Sequence, residues 1–325
     1  MTKKKNSEAL SNFCSEVSKI YGEGSVMKMN DPSNEIKTFS SGSLALDVAL
    51  GGGFALGKIV EIYSLNMCGK SYRALSAAKE MHLLDREVLY LDHECALNLE
   101  AAEKLDVDID RLFISQPSTA EEGFEIAKKA ITSGEFGLIV FDSTNSMIPK
   151  AELEGSSGQA FVANGARLFS QAMKQLTGIA NKYECTLLFI SQTREQLGGY
   201  IPTKAVGVGN AVAYYASQRI EIKKTNIRKG DEIVGFTQKN KVIKNKVAPP
   251  FKTGEVTISF ETGIDKEREL LDVAIMFGIV DKKGSWISYS DTNIAQGVEK
   301  AADVLRDNPE LVEEIEQKVR KALES

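Results

Sequence analysis

The segment Val60–Leu75, VEIYSLNMCGKSYRAL, carries Gly69, Lys70 and Ser71 in succession behind an apolar run. Those three residue types can grip a polyphosphate. Glycine lets backbone N–H groups approach, lysine reaches the terminal phosphates, and a hydroxyl can ligate magnesium. The pattern for such a loop is a glycine, four free positions and then Gly-Lys-Ser or Gly-Lys-Thr; Ser64 fills the first place here. Serine can make that turn if its backbone avoids the region reserved for glycine. The candidate phosphate-binding residues are therefore Ser64, Asn66, Met67, Cys68, Gly69, Lys70, Ser71 and Tyr72.

Further polar residues close apolar runs. Asp142 in GLIVFDS stands where a carboxylate could support magnesium beside Ser71, although many strands end in aspartate as a turn residue. Glu94 in LYLDHECALN could orient and deprotonate an attacking water, or be a surface turn acid. Gln192, closing LLFISQ, could contact a terminal phosphate and signal it to the glycine-rich segment that follows, or be an ordinary strand-end amide. With the loop, these residues compose a nucleoside triphosphate site. The stretch TQKNKVIKNKVAPPFK places Lys239, Lys241, Lys244, Lys246 and Lys252 close together, and alternating lysines on a strand ordinarily mark a solvated face. Leu197–Ala211, LGGYIPTKAVGVGNA, is too glycine-rich for a packed element and reads as a functional loop.

The elements that must position these residues alternate. KIVEIY, the loop, the helix KSYRALSAAKEMHLL and EVLYLD form strand, loop, helix and strand, and GLIVFD, TLLFISQ, QRIEIKK and EVTISF are further strands. The fold class is α/β, a mostly parallel sheet covered by helices, with ligands at the carboxyl ends of the strands. Ahead of it, Ser7–Tyr21 places Leu10, Phe13, Val17 and Ile20 on one helical stripe, followed by a polar link to about residue 35. One stripe cannot form its own core and must dock elsewhere, a neighbouring subunit included. After Gly263, KERELLDVAIMFGIV, a turn DKKGSW, a strand-like ISYS and the helix NPELVEEIEQKVRKALES read as a small second domain. The expected division is 1–35, 36–263 and 264–325.

Composition bounds the function classes. The 325 residues are 42% hydrophobic and 26% charged, ordinary for a globular chain, and the longest apolar runs are strand-sized. A membrane span needs roughly 18 to 20 apolar residues, so no membrane partner is expected. The basic N-terminus lacks the apolar segment of a secretory signal. Four dispersed cysteines and two histidines argue against zinc and disulfides and fit a reducing cytoplasm. A net charge of -5 confines any nucleic-acid contact to a local basic stripe.

These pieces, in this order, closely resemble the RecA family of bacterial DNA recombinases, from the first helix to the last. TFSSGSLALDVALGGGFALGKIVEIY, VDIDRLFISQPSTAEEGFEIA, PKAELEG, ARLFSQAMKQL, VIKNKVAPPFK and GSWISY all read as that family's segments. The resemblance implies a P-loop ATPase core between an N-terminal helix that docks on the next subunit and a small α+β C-terminal domain. It implies ATP and Mg2+ as cofactors, held between subunits of a helical homo-oligomer on single-stranded DNA that exchanges strands with double-stranded DNA. A related recombinase or a repressor is a further implied partner. By resemblance, Lys70 and Ser71 match the phosphate and magnesium groups, Glu94 the water-activating carboxylate, Asp142 the second aspartate and Gln192 the phosphate sensor. Lys244 and Lys246 match lysines reaching a neighbour's ATP. DNA would meet loops at about 154–165 and 195–210, and Arg167, Ser170, Lys174, Arg194, Gly209, Asn210 and Lys223; Lys239 and Lys241 match further positive positions.

Departures cluster around the nucleotide. The family's loop reads close to GPESSGKTT against SLNMCGKSY here, an acid that meets adenine is Asn98, and a tyrosine that stacks on adenine falls at Ala101. Loss of that ring would cost on the order of 1 kcal/mol of base binding. Cys95 replaces the histidine after Glu94, and Glu195 and Gln196 replace an apolar residue and a lysine in the second loop. The resemblance favours a DNA-dependent ATPase; a second reading is a paralogue that binds DNA or joins a recombinase filament with little turnover. A ring helicase of the same core fold fits the end-to-end likeness poorly.

Overall fold

The computed structural model describes residues 2–22, 25–31, 35–65, 67–155, 162–195, 204–206, 210–261, 263–290 and 292–323. They fall into two units, Met1–Lys37 and Thr38–Ser325. In the first, α1 (Thr2–Tyr21) starts earlier than the apolar spacing predicts, because the preceding lysines and polar residues are adequate helix formers. Leu10, Phe13 and Ile20 of its stripe are all more than half exposed.

The second unit begins with β1 (Thr38–Phe39), α2 (Leu44–Leu50), β2 (Phe54–Ala55) and β3 (Ile59–Ser64). It continues through α3 (Lys70–Leu83), β4 (Glu87–Asp92), α4 (Leu99–Lys104), β5 (Leu112–Ser115), α5 (Ala120–Ser133), β6 (Phe136–Asp142) and α6 (Lys150–Leu153). Next come α7 (Val162–Lys182), β7 (Thr186–Glu195), β8 (Lys204–Val206), α8 (Ala211–Tyr215), β9 (Gln218–Lys229), β10 (Glu232–Asn245), β11 (Thr253–Ser259) and β12 (Gly263–Ile264). The C-terminal part holds α9 (Lys266–Met276), β13 (Asp281–Lys283), β14 (Trp286–Tyr289), β15 (Thr292–Gln296), α10 (Val298–Arg306) and α11 (Pro309–Leu323).

The main sheet has the order β12-β11-β10-β9-β3-β7-β6-β4-β5, with β8 beside β7. Its centre is parallel: β3 pairs with β7 and β9, β6 with β7 and β4, and β4 with β5. All six residues of β3 are buried, as a strand covered on both faces requires. One face packs Leu46 and Leu50 of α2, Leu75 and Met81 of α3 and Ala102 of α4 onto Val60, Ile62, Val140 and Ile220. The other packs Phe124 of α5, Phe169 and Met173 of α7 and Val212 of α8 onto Ile59, Phe141 and Phe189, the last two stacked 4.3 Å apart. Loops leaving the carboxyl ends of β3, β4, β6 and β7 consequently meet on one edge, where the site lies.

The hairpin β9–β10 is longer than its apolar residues suggest, because ladder pairing carries the polar residues TNIRK into the strand. Gly254 of β11 is small by necessity. A Cβ there would sit 2.4 Å from the Ala45 carbonyl oxygen, so α2 lies directly on the strand. The C-terminal segment builds its own cluster around Leu271, Ile287, Leu305 and Ile315, which also takes in Val48 from α2. Here the expected turn DKKGSW is a correction: Asp281–Lys283 is strand β13, antiparallel to β14, and only Gly284 and Ser285 turn. Charged residues form that edge strand through backbone pairing, which apolar alternation does not register.

Candidate functional site

At the end of β3 the chain turns, and α3 starts at Lys70 behind Gly69 at φ +79°. Met67 also has positive φ, 56°, without being glycine. The Lys70 ammonium is buried and donates to Ser64 Oγ (3.1 Å) and to the Leu65 carbonyl oxygen (3.1 Å). Ser64 thus fills the first place of the loop with a hydroxyl that accepts from the lysine, which a glycine could not do. Burial holds the Lys70 ammonium below the ordinary lysine range, opposed by Cys68, Asp142 and Glu94. A polyphosphate would offset the desolvation of this cation with negative charge and replace its neutral oxygen partners.

Ser71 Oγ donates to Asp142 Oδ2 at 2.6 Å, and Tyr90 OH donates to the same oxygen at 2.5 Å. Burial raises the Asp142 carboxyl above the usual carboxylate range, and the Ser71 and Tyr90 bonds oppose it. Glu94 sits across the cleft: its Oε1 accepts from Gln192 Nε2 at 2.7 Å and from Ser143 Oγ. Gln192 is fixed by its backbone, its N–H donating to Asn145 Oδ1 (2.7 Å) and its carbonyl accepting from Asn145 Nδ2 (3.1 Å). Asp92 shapes the segment after Glu94 by accepting from the N–H groups of Ala96 and Leu97. Met67, Cys68, Gly69, Lys70, Ser71, Tyr72, Glu94, Asp142 and Gln192 line one cleft of about 320 Å³. Asn66 lies outside the described residues.

The altered residues have structural partners. Cys68 is buried in the core beneath α3, and Tyr72 packs with Phe236, Val256, Ile258 and Ile264. Met67 is 84% exposed at the mouth. Asn98 is the N-cap of α4, its Oδ1 accepting from the Glu100 N–H at 2.9 Å, and it is not among the residues lining the cleft. Ala101 packs against the core cluster as a small helix residue.

Lys244, on β10, donates to the carbonyl oxygens of Ala213 (3.0 Å) and Tyr214 (2.8 Å) at the end of α8. Burial lowers its pKa, reinforced by Lys246 and Arg219. Lys246 is exposed and hydrogen-bonds through its backbone to Ser217. Arg167, Ser170 and Lys174 are exposed at one-turn spacing on α7, and Asn210 opens α8, which packs against α7. Lys239 and Lys241 point outward between buried Gln238, Asn240 and Val242. Lys223 stands opposite Lys239 in the ladder. This face is of mixed charge: Lys239 pairs with Glu255 at 2.7 Å and Lys223 with Glu221 at 3.6 Å. Gly209, the Arg194 side chain and most of the loops at 154–165 and 195–210 lie outside the described residues.

Tyr90, Asn145, Asp92 and Gln238 were not legible as site residues. Tyr90 and Asp92 fall on alternate positions of β4, the same period that marks any strand, and Gln238 lies far along the chain. Among the described residues no group of three or more His, Cys, Asp or Glu side chains is placed to hold a metal ion.

With this geometry, comparison with known proteins is specific. The RecA N-terminal domain model matches residues 8–265, and the RecA C-terminal domain model matches 268–324. Protein RecA of Levilactobacillus brevis is 44% identical over 319 residues, covering 97% of this chain and 84% of the relative. Protein RecA of Halalkalibacterium halodurans is 42% identical over 310 residues (94% and 88%), and that of Rickettsia bellii 42% over 318 (96% and 92%). Similarity of this extent favours a recombination and repair function over the reading of a paralogue with little turnover. The chain belongs to the RecA family, DNA-dependent ATPases of DNA recombination and repair that bind DNA and assemble into homo-oligomeric filaments.

Proposed function

We propose that the cleft above β3, β4, β6 and β7 is the ATP site of this recombinase, with Lys70, Ser71, Glu94, Asp142 and Gln192 as its working residues. The observation that carries this reading is the convergence of those five side chains, from the carboxyl ends of four strands and the segments that follow them, on one cleft. Lys70 leaves Ser64 and the Leu65 carbonyl to hold the β- and γ-phosphates. The Ser71 and Asp142 oxygens, 2.6 Å apart, would hold Mg2+, which would supply neutralisation of the charge on the phosphates. Glu94 orients water toward the terminal phosphate and accepts its proton. Gln192 gives up its bond to Glu94 for the terminal phosphate, and β7 carries that change to the segment beginning at 196.

The domain reading 1–35, 36–263 and 264–325 assigns α1 to filament assembly; its exposed Leu10, Phe13 and Ile20 suit docking on the next subunit. Lys244 and Lys246 reach ATP held by that neighbour, and the Ala213 and Tyr214 carbonyls are the partners Lys244 gives up. Arg167, Ser170 and Lys174, with Arg194, Gly209, Asn210, Lys223, Lys239 and Lys241, bind the phosphates of single- and double-stranded DNA. Work in the cytoplasm, with a repressor or a second recombinase as a further partner, completes the reading. Among the described residues no helix is long and apolar enough to cross a membrane. Binding of ATP and GTP to the full chain, with and without magnesium, tests the site. The reading requires magnesium-dependent ATP binding that Asp142→Asn weakens at least tenfold, and unchanged binding by that variant contradicts it. Equal ATP and GTP affinities would show that the changes at Asn98 and Ala101 have relaxed base selection.

A further inference from the structure

Gln238, at the middle of β10 and fully buried, reaches the phosphate loop. Its Nε2 donates to the carbonyl oxygens of Cys68 (2.9 Å) and Gly69 (3.2 Å), and its Oε1 accepts from Arg73 Nη2 (2.9 Å). Glycine at position 69 permits this approach, since a Cβ there would lie 2.9 Å from Gln238 Nε2. In a trans peptide the C=O and the following N–H point in opposite directions. Holding the Cys68 and Gly69 carbonyls against Gln238 therefore aims the N–H groups of Gly69 and Lys70 away from β10, and both residues line the cleft.

Arg73 explains why the amide has this orientation. Its guanidinium is fully buried, and Nε and Nη1 have no hydrogen-bond partner, an arrangement that burial makes unfavourable. A guanidinium only donates, so the Gln238 oxygen must face it and the NH2 must face the loop. The flipped amide would set donor against donor at Arg73 and oxygen against two carbonyls at the loop.

We propose that Gln238, oriented by Arg73, is a positioning residue that presets the loop's amides for phosphate and ties them to β10, the strand bearing Lys239, Lys241 and Lys244. The proposal rests on the reading of the cleft as the ATP site. Gln238→Glu separates positioning from packing: a carboxylate still pairs with Arg73 but offers the loop carbonyls no donor. Titration of the full-length variant with a fluorescent ATP analogue should show at least a tenfold loss of affinity, about 1.4 kcal/mol. Its nucleotide-free melting temperature should stay near that of the wild type, the ion pair with Arg73 offsetting the repulsion between the carboxylate and the loop carbonyls, and the loss should appear in KM for ATP more than in kcat. Should Gln238→Glu fail to fold, the double variant Arg73→Met with Gln238→Met replaces the buried polar pair by unbranched apolar chains and carries the same expectation. Affinity within twofold of wild type in either folded variant, with binding lost in Lys70→Ala, overturns the proposal alone. Wild-type binding by Lys70→Ala overturns the site reading and the proposal with it.

Discussion

Removing one hydroxyl tests how the cleft keeps Asp142 ionised. Tyr90 is fully buried, burial pushes its phenol well above the ordinary range, and it therefore stays protonated and donates to Asp142 Oδ2 at 2.5 Å. Tyr90→Phe deletes that O–H and leaves the ring in place. A hydrogen bond to a charged acceptor contributes about 1.5–3 kcal/mol, which corresponds to about 1 to 2 pH units at 1.36 kcal/mol per unit. The donor favours the ionised carboxylate, so its loss raises a pKa that burial already holds high. The acid limb of kcat/KM for DNA-stimulated ATP hydrolysis should then move up by about that amount, with activity near wild type at alkaline pH. Profiles of wild type and Tyr90→Phe measured between pH 5.5 and pH 9 decide the matter. A limb that stays within about 0.3 pH units of wild type, or moves down, would refute the reasoning, since one lost donor of this strength corresponds to a full unit or more.

Burial also drives the Asp47 carboxyl from 3.8 up to about 6, against bonds from Ser41 and Ser40. A carboxyl with a raised folded pKa stabilises the fold below its unfolded value and loses that contribution as pH rises through about 6. Asp47→Asn keeps the acceptor for the Ser41 N–H, so urea-unfolding midpoints should favour the variant by about 1–3 kcal/mol at pH 7.5. That advantage should narrow by about 1 kcal/mol at pH 5; a constant gap would contradict the assignment. Gly254→Ala places a Cβ against the Ala45 and Leu46 backbone and should cost about 1–3 kcal/mol in the same assay, whereas a neutral result would mean that α2 does not rest on β11 as described. Glu255→Gln frees Lys239 from its 2.7 Å partner and should strengthen single-stranded DNA binding severalfold at low salt, with the gain fading as salt rises. Weaker binding would remove Lys239 from the DNA face.

What was legible in the sequence was what local pattern encodes. Gly69, Lys70 and Ser71 between an apolar strand and a helix mark their own position, and Asp142, Glu94 and Gln192 each close an apolar run, so parallel pairing alone brings them to one edge. Arg73 and Gln238 were opaque because a polar residue inside a helix or a strand reads as a solvated position. Only the crossing of α3 over β10, 165 residues apart in the chain, shows that they face each other. The lysines of β10 were legible as a row, but the ion pair of Lys239 was not, since Glu255 comes from the flanking strand β11. Strand β13, DKK, was hidden for the opposite reason: it is held by backbone pairing at an edge and buries no side chain.

The central claim is that this cleft turns over ATP under the control of DNA. Steady-state ATP hydrolysis by the full chain, with and without single-stranded DNA and beside Lys70→Ala, tests it most directly. Turnover should rise with single-stranded DNA and disappear in Lys70→Ala. Turnover that persists in Lys70→Ala, or DNA-bound wild-type protein hydrolysing no faster than that variant, would contradict it.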